Sequence, residues 1–194
     1  MQEIIISNIY LFILATVLAI LEIQIEGKNG WAMDLPTWRP KKINLFIKIY
    51  KKLMSDREVT GYHITMFIFV LLILHLPYAF GQDLNLINWL MTISLFFIFI
   101  ILWDFLWFVL NPYHSLKKFN KEHIWWHKKW WIGAPLDYYW SVLLSFVILL
   151  PAIFYYDFWF LIFWWVINIW LFIMQTAMVI WFSLVVLKID NWKK

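Results

Sequence analysis

The chain contains no cysteine. Disulfides, thiolate nucleophiles, zinc knuckles and iron–sulfur clusters are therefore excluded, and any chemistry has to use carboxylates, imidazoles, amides and hydroxyls. Charge is scarce as well. Only 14% of the 194 residues are charged against 64% hydrophobic, with a mean hydropathy of +0.72, a balance that excludes a soluble domain. With five glycines and six prolines there is no Gly/Ser-rich or Pro-rich linker, and no internal repeat is seen, so residues 1–194 read as a single integral membrane domain. Short alternating segments, the mark of a membrane barrel, are missing. The expected fold class is therefore all-α, a polytopic membrane helix bundle, because a helix satisfies its own backbone in lipid.

Apolar runs predict five transmembrane helices at about 4–26, 61–80, 86–110, 137–155 and 158–187, each near the roughly 20 residues that cross a bilayer core. The connections between them alternate between basic residues and none. Lys28, Arg39, Lys41, Lys42, Lys48, Lys51, Lys52 and Arg57 follow the first run, Lys117, Lys118, Lys121, Lys128 and Lys129 follow the third, and Lys188, Lys193 and Lys194 follow the last. The turns around Gln82 and Tyr156 hold no Lys or Arg. Since Lys and Arg near span ends stay in the cytoplasm, the pattern predicts N-out/C-in topology. The first span follows Met1, Gln2 and Glu3 without a basic flank, so it reads as a retained helix rather than a signal peptide. A prokaryotic cytoplasmic membrane is the expected location.

The net charge of +4 borders hydrophobic spans, which makes anionic head groups of membrane lipids the expected partner and argues against nucleic acid. Two connections carry this charge on interfacial segments. In about 40–54, Ile43, Phe46, Ile47, Tyr50, Leu53 and Met54 recur at helical spacing with lysines largely opposite, the pattern of a basic amphipathic helix lying in the interface. In about 117–133, Trp125, Trp126, Trp130 and Trp131 flank Lys128 and Lys129, as head-group anchors do.

Polar residues that could carry chemistry gather toward the basic side. Glu22 and Glu26 stand i, i+4 at the end of the first span, so their carboxylates share one stripe. His123 and His127 have the same spacing, and an i, i+4 His pair on a helix can present two nitrogens to one ion. The string is not H-E-x-x-H, because Ile124 follows the first histidine. Asp104 lies seven residues before Asn111, about 10 Å into the third span, where a carboxylate costs on the order of 3 kcal/mol and needs a partner. Asp104, Trp107 and Asn111 fall on one helical stripe. Glu22, Glu26, Asp104, His114, His123 and His127 are therefore expected ligands of a divalent metal ion, with Asp104, Glu22 and Glu26 also able to act in acid/base catalysis. Arg39, with Trp107 and Asn111, is the expected substrate-binding set, since an arginine can pair bidentately with phosphate or carboxylate. The same residues also read as a hydrated interfacial cluster, Asp104 as a helix-packing residue, and Arg39 as an ordinary interfacial cation.

The strings EGKNGWAMDLPTWRP, DFLWFVLNPYHSLKKFN and HKKWW with GAPLDYYW resemble, over most of the chain, a family of small uncharacterised prokaryotic integral membrane proteins with an EGxxGWAxxLPTWR-like turn. The resemblance implies no activity. From the residues, the expected function is a membrane-embedded, metal-dependent enzyme acting on a lipid or lipid-linked substrate at the cytoplasmic leaflet. Transport of protons, ions or a small solute through Asp104 and His75 is one alternative, and a non-catalytic membrane subunit or scaffold is another.

Overall fold

The structure, a computed structural model, describes residues 1–54, 56–114, 116–153 and 156–192. Four of its helices are long and apolar enough to cross a membrane: α1 (Gln2–Glu26), α3 (Gly61–Ala79), α4 (Leu86–Leu110) and α6 (Phe158–Trp181), the last running on through a wide π-turn to Val186. The protein is thus an all-α integral membrane protein. The remaining helices are α2 (Leu45–Leu53) and the shorter apolar α5 (Leu136–Ile153).

Side-chain caps fix where these helices begin. Asn44 accepts from Ile47 N (2.9 Å), Thr60 from His63 N (3.3 Å), Asn85 from Asn88 N (2.9 Å), and Asp157 from Trp159 N and Phe160 N (2.8 and 3.1 Å). Each satisfies amide donors that the first turn leaves unpaired. Gly27, at φ +63°, closes α1 and returns its amide to Ile23 O at 2.8 Å.

Helix α4 is the centre of the bundle and packs against α1, α3, α5 and α6. On α1 the fully buried Ala15 and Ala19 stand four apart, a small-residue spacing that lets helices approach closely in lipid. Farther along, α1 is tied to α6 by polar bonds. Asn8, completely buried, donates to Asn168 Oδ1 (2.9 Å) and accepts from Gln175 Nε2 (2.6 Å). Outward, Ile13, Val17, Leu72, Phe163, Trp170 and Ile173 present an apolar surface, as lipid-facing helices do.

The interfacial segments depart from expectation. Helix α2 is shorter than 40–54 because Asn44 caps it, and the expected apolar stripe is divided: Ile47 is buried while Ile43 and Phe46 are exposed. The stretch at 117–133, expected as an interfacial segment, is largely irregular. A 3-10 turn at Leu116–Lys118 gives way to irregular turns and then to a small hairpin of β1 (Trp130–Trp131) and β2 (Ala134–Pro135), in which Trp130 faces Pro135 and Trp131 faces Ala134. Gly133, at φ +79°, makes that hairpin's reversal. Trp126, expected at the head groups, is buried and stacks on Phe108 at 5.7 Å; Trp125 and Trp131 do lie exposed.

Candidate active site

The end of α1 supplies two carboxylates and the start of α3 supplies the imidazole that meets them. Thr60, while capping α3, also lies 2.7 Å from His63 Nδ1, which turns His63 Nε2 toward α1. That nitrogen stands 3.4 Å from Glu26 Oε1 and 3.8 Å from Glu22 Oε1. One donor atom from each of the three residues falls within 4.8 Å of the other two. The 3.4 Å pair is a long hydrogen bond. It also falls at the spacing of two ligands of one ion, since donors about 2.1 Å from a tetrahedral centre lie about 3.4 Å apart.

The turn after α1 builds the floor beneath this triad. Gly30, Trp31 and Ala32 all have positive φ, at 63°, 46° and 51°. For Trp31 and Ala32 that conformation costs roughly 1 kcal/mol or more each, and it is held by side chains on both sides. Ala32 N donates to Glu26 Oε1, while Ala32 O accepts from Arg39 Nη2 at 2.6 Å. The turn's reward is the position of Trp31. Its ring stacks on His63 at 3.7 Å, carries the Arg57 guanidinium 4.5 Å from its centroid, and its Nε1 donates to Glu58 O at 2.8 Å.

Arg57 joins this triad to a second cluster. Its Nη1 donates to Asp104 Oδ1 on α4 at 3.2 Å, and its Nη2 bonds Asp137 Oδ2 on α5. His127 sits between the same two acids, with Nε2 3.2 Å from Asp104 Oδ2 and Nδ1 3.2 Å from Asp137 Oδ1. Tyr138 Oη donates to Asp104 Oδ2. Burial alone pulls the Arg57 guanidinium pKa down, but the Asp137 and Asp104 carboxylates outweigh it and leave the group above its ordinary value. Arg57 is therefore a fixed cation inside the protein.

Glu22, Glu26, His63, Arg57, Asp104 and Asp137 all line one cavity with Trp103 and Trp107. About 40 Å³ of it is open to the centres of water-sized groups, enough for an ion and a few waters but not for a lipid head group of ordinary size. Its charge is lopsided, with four carboxylates around one permanent cation. Several buried donors beside it have no partner among the described residues: Arg57 Nε, Trp103 Nε1 and Trp107 Nε1.

Of the residues singled out from sequence, the structure brings together Glu22, Glu26, Asp104, His127 and Trp107. The others stand apart. His123 is exposed and bonds Asn120 Oδ1 (2.9 Å); because its segment is turned rather than helical, it does not pair with His127. His114 Nε2 lies 3.0 Å from Lys28 O, with its ring against Trp107 and Phe108. Asn111 donates to Gly27 O (3.2 Å) and accepts from Tyr113 N (2.9 Å), so it fastens the end of α4 to the end of α1. Arg39 pairs with Glu58 (3.2 Å) and with carbonyls of its own turn, away from the cavity, and so pins that turn. His63, Arg57 and Asp137 were the residues missed. Arginine choice was the available signal: Arg39 and Arg57 are the only arginines among 16 basic residues, and arginine is favoured where an ion pair is buried.

The chain matches no family model, no curated protein and no solved structure. Its chemistry therefore rests on the geometry alone.

Proposed function

We propose that this protein is a membrane-embedded enzyme that holds a divalent cation on Glu22, Glu26 and His63 and works on the polar end of a membrane-resident substrate. The observation that carries the reading is the convergence of six acidic and basic side chains, from four helices and one connection, on one cavity, with His127 bridging two of its acids. Burying so many charges is costly, and acid in excess of base is most economically balanced by a cation. A bound divalent ion would polarise a substrate oxygen or acidify a water. Arg57, Asp104, His127 and Asp137 form a fixed network beside it, in which Asp104, at 23% side-chain exposure, is the more exposed of the two acids. This set replaces the six-ligand site expected from sequence, since His114 and His123 lie outside the cavity.

The reading includes five spans, with α5 as the fifth, and N-out/C-in topology in a prokaryotic cytoplasmic membrane. Alternation of the basic connections supports it. Anionic lipid would be met by Lys48, Lys51 and Lys52 of α2 rather than by Arg39. Transport has less in its favour, because from Leu11 to Ala19 the buried face of α1 is apolar.

The test is elemental analysis of detergent-purified protein, stripped with chelator and reloaded with Mg²⁺, Mn²⁺, Fe²⁺ or Zn²⁺ in turn. About one equivalent of at least one ion is expected, reduced sharply in Glu22→Gln and His63→Ala and little changed in His123→Ala. Retention of full metal by His63→Ala would refute the triad.

A further inference from the structure

An apolar cleft of about 150 Å³ adjoins the polar cavity, bounded by α3 on one side and α5 on the other with α4 as its floor. Met54, Phe67, Ile100 and Ser141 line both spaces, so the two share a wall made of these side chains. Beyond these shared residues the cleft is walled by Phe97 and Leu144 and rimmed by the exposed Trp140.

We infer that this cleft takes one hydrocarbon chain of an amphiphile whose neutral, oxygen-bearing end reaches the polar cavity. The inference rests on the proposed function for the location of the chemistry, and it adds the substrate class and its route. Size is the first argument. A cleft of about 150 Å³ with almost wholly apolar walls offers water no partners, while hydrocarbon supplies the dispersion contacts the walls lack. Position is the second: the exposed rim lies along helices that face lipid, so a chain can slide in sideways without leaving the bilayer. Unpaired donors supply the third. Among the described residues, the buried hydroxyl of Tyr50, which lines the cleft, has no partner, and neither do Nε1 of Trp103 and Trp107, which line the cavity. Donors without acceptors call for ligand oxygens. Even with a divalent ion bound, four carboxylates around one arginine leave the cavity net negative, which disfavours a phosphate, while an alcohol, ester or amide end carries the needed acceptor without added negative charge.

The experiment uses the full chain in phosphatidylcholine vesicles with a trace of monoacylglycerol carrying a mid-chain diazirine, irradiated and mapped by peptide mass spectrometry. Adducts are expected on Phe97, Ile100 and Leu144 at several-fold the yield on Trp170 and Ile173, which face lipid on α6. Leu144→Trp should remove most cleft adducts and spare those on α6, while Leu144→Ala should keep them. Labelling in proportion to exposure over all helices, or cleft adducts unchanged in Leu144→Trp, would overturn the inference; if Leu144→Trp does not fold, the wild-type ratio decides. His63→Ala separates the two proposals, because it should lose metal and still show cleft labelling. A diazirine fatty acid, anionic at pH 8, should label the cleft less than the neutral probe, and equal or stronger labelling would overturn the neutral head group.

Discussion

Arg57 stands between Asp104 and Asp137 with His127 behind it, and a guanidinium suits that place because it is planar, always charged and able to give separate N–H groups to separate carboxylates. Replacing it by Met would leave two acids buried with no permanent cation. Removing one partner of a buried ion pair typically costs about 3–5 kcal/mol, so Arg57→Met should lower the unfolding midpoint in detergent by far more than Arg39→Met, whose partner Glu58 is half exposed. Arg57→Lys should recover only part of the loss, and equal midpoints for both methionine variants would sink this account. Asp56 offers the contrast at the surface. Its hydrogen bond from Lys129, at 2.8 Å, holds the carboxyl below its usual value. The sign follows: a depressed carboxyl stabilises the fold above its unfolded pKa of about 4 and loses that contribution as pH falls through the folded value. Wild type should therefore lose a small, salt-sensitive increment relative to Asp56→Asn on acidification below about pH 4. A gap between the two that is independent of pH would contradict it. Asp104 is the residue most legible from the sequence: a carboxylate deep in an apolar run demands partners, and it has three, in Arg57, His127 and Tyr138. Which partners they are depends on tertiary folding, and Arg57, 47 positions away, carries no local mark except being an arginine among lysines.

At the scale of elements, long apolar helices were legible because hydropathy over about 20 residues is a large signal, and their starts at Asn44, Thr60, Asn85 and Asp157 follow from capping chemistry. The connection from 117 to 133 was not. Its tryptophans and lysines satisfy an interfacial helix equally well, yet Trp126 is drawn into the core by Phe108 and Gly30, and the chain turns to follow it. Gly30 records that fit. A Cβ there would stand 2.6 Å from the Trp126 ring, and φ is +63° besides; Gly27 shares the φ of +63° but has nothing within 4 Å. Both alanine variants should cost roughly 1–2 kcal/mol for left-handed backbone. Gly30→Ala should cost on the order of 1–3 kcal/mol more from overpacking, and should also disturb Trp31 and with it the stack on His63. Unfolding midpoints of the two variants in detergent measure the difference. Equal losses would mean that Trp126 yields freely.

For the whole molecule, the cavity itself bears on topology without any appeal to charge. Its walls come from the end of α1, the beginning of α3, the last turns of α4 and the beginning of α5. Helices that alternately end and begin at one site run in alternate directions, so α1 and α4 descend toward the end of the bundle from which α3 and α5 depart. The basic connections lie at that same end, between Glu26 and Gly61 and between Leu110 and Leu136. If these connections are cytoplasmic, the N-terminus is outside, Gln82 and Tyr156 face outward, and α6 returns the chain to the inside. The count of spans turns on α5, whose apolar stretch of Leu136–Ala152 is shorter than the other spans and includes Pro151. A helix of 17 or 18 residues covers about 26 Å, slightly less than a hydrocarbon core of about 30 Å, a mismatch that local thinning and flanking aromatics absorb. Reporter fusions at Gln82 and Tyr156 are therefore expected to read outside, and fusions at Lys121 and after Trp192 inside. The Tyr156 fusion is the decisive one. An inside reading there, with Lys121 also inside, would make α5 a re-entrant helix that carries Asp137 into the membrane and back, leave four spans rather than five, and move the end of α6 to the outer face.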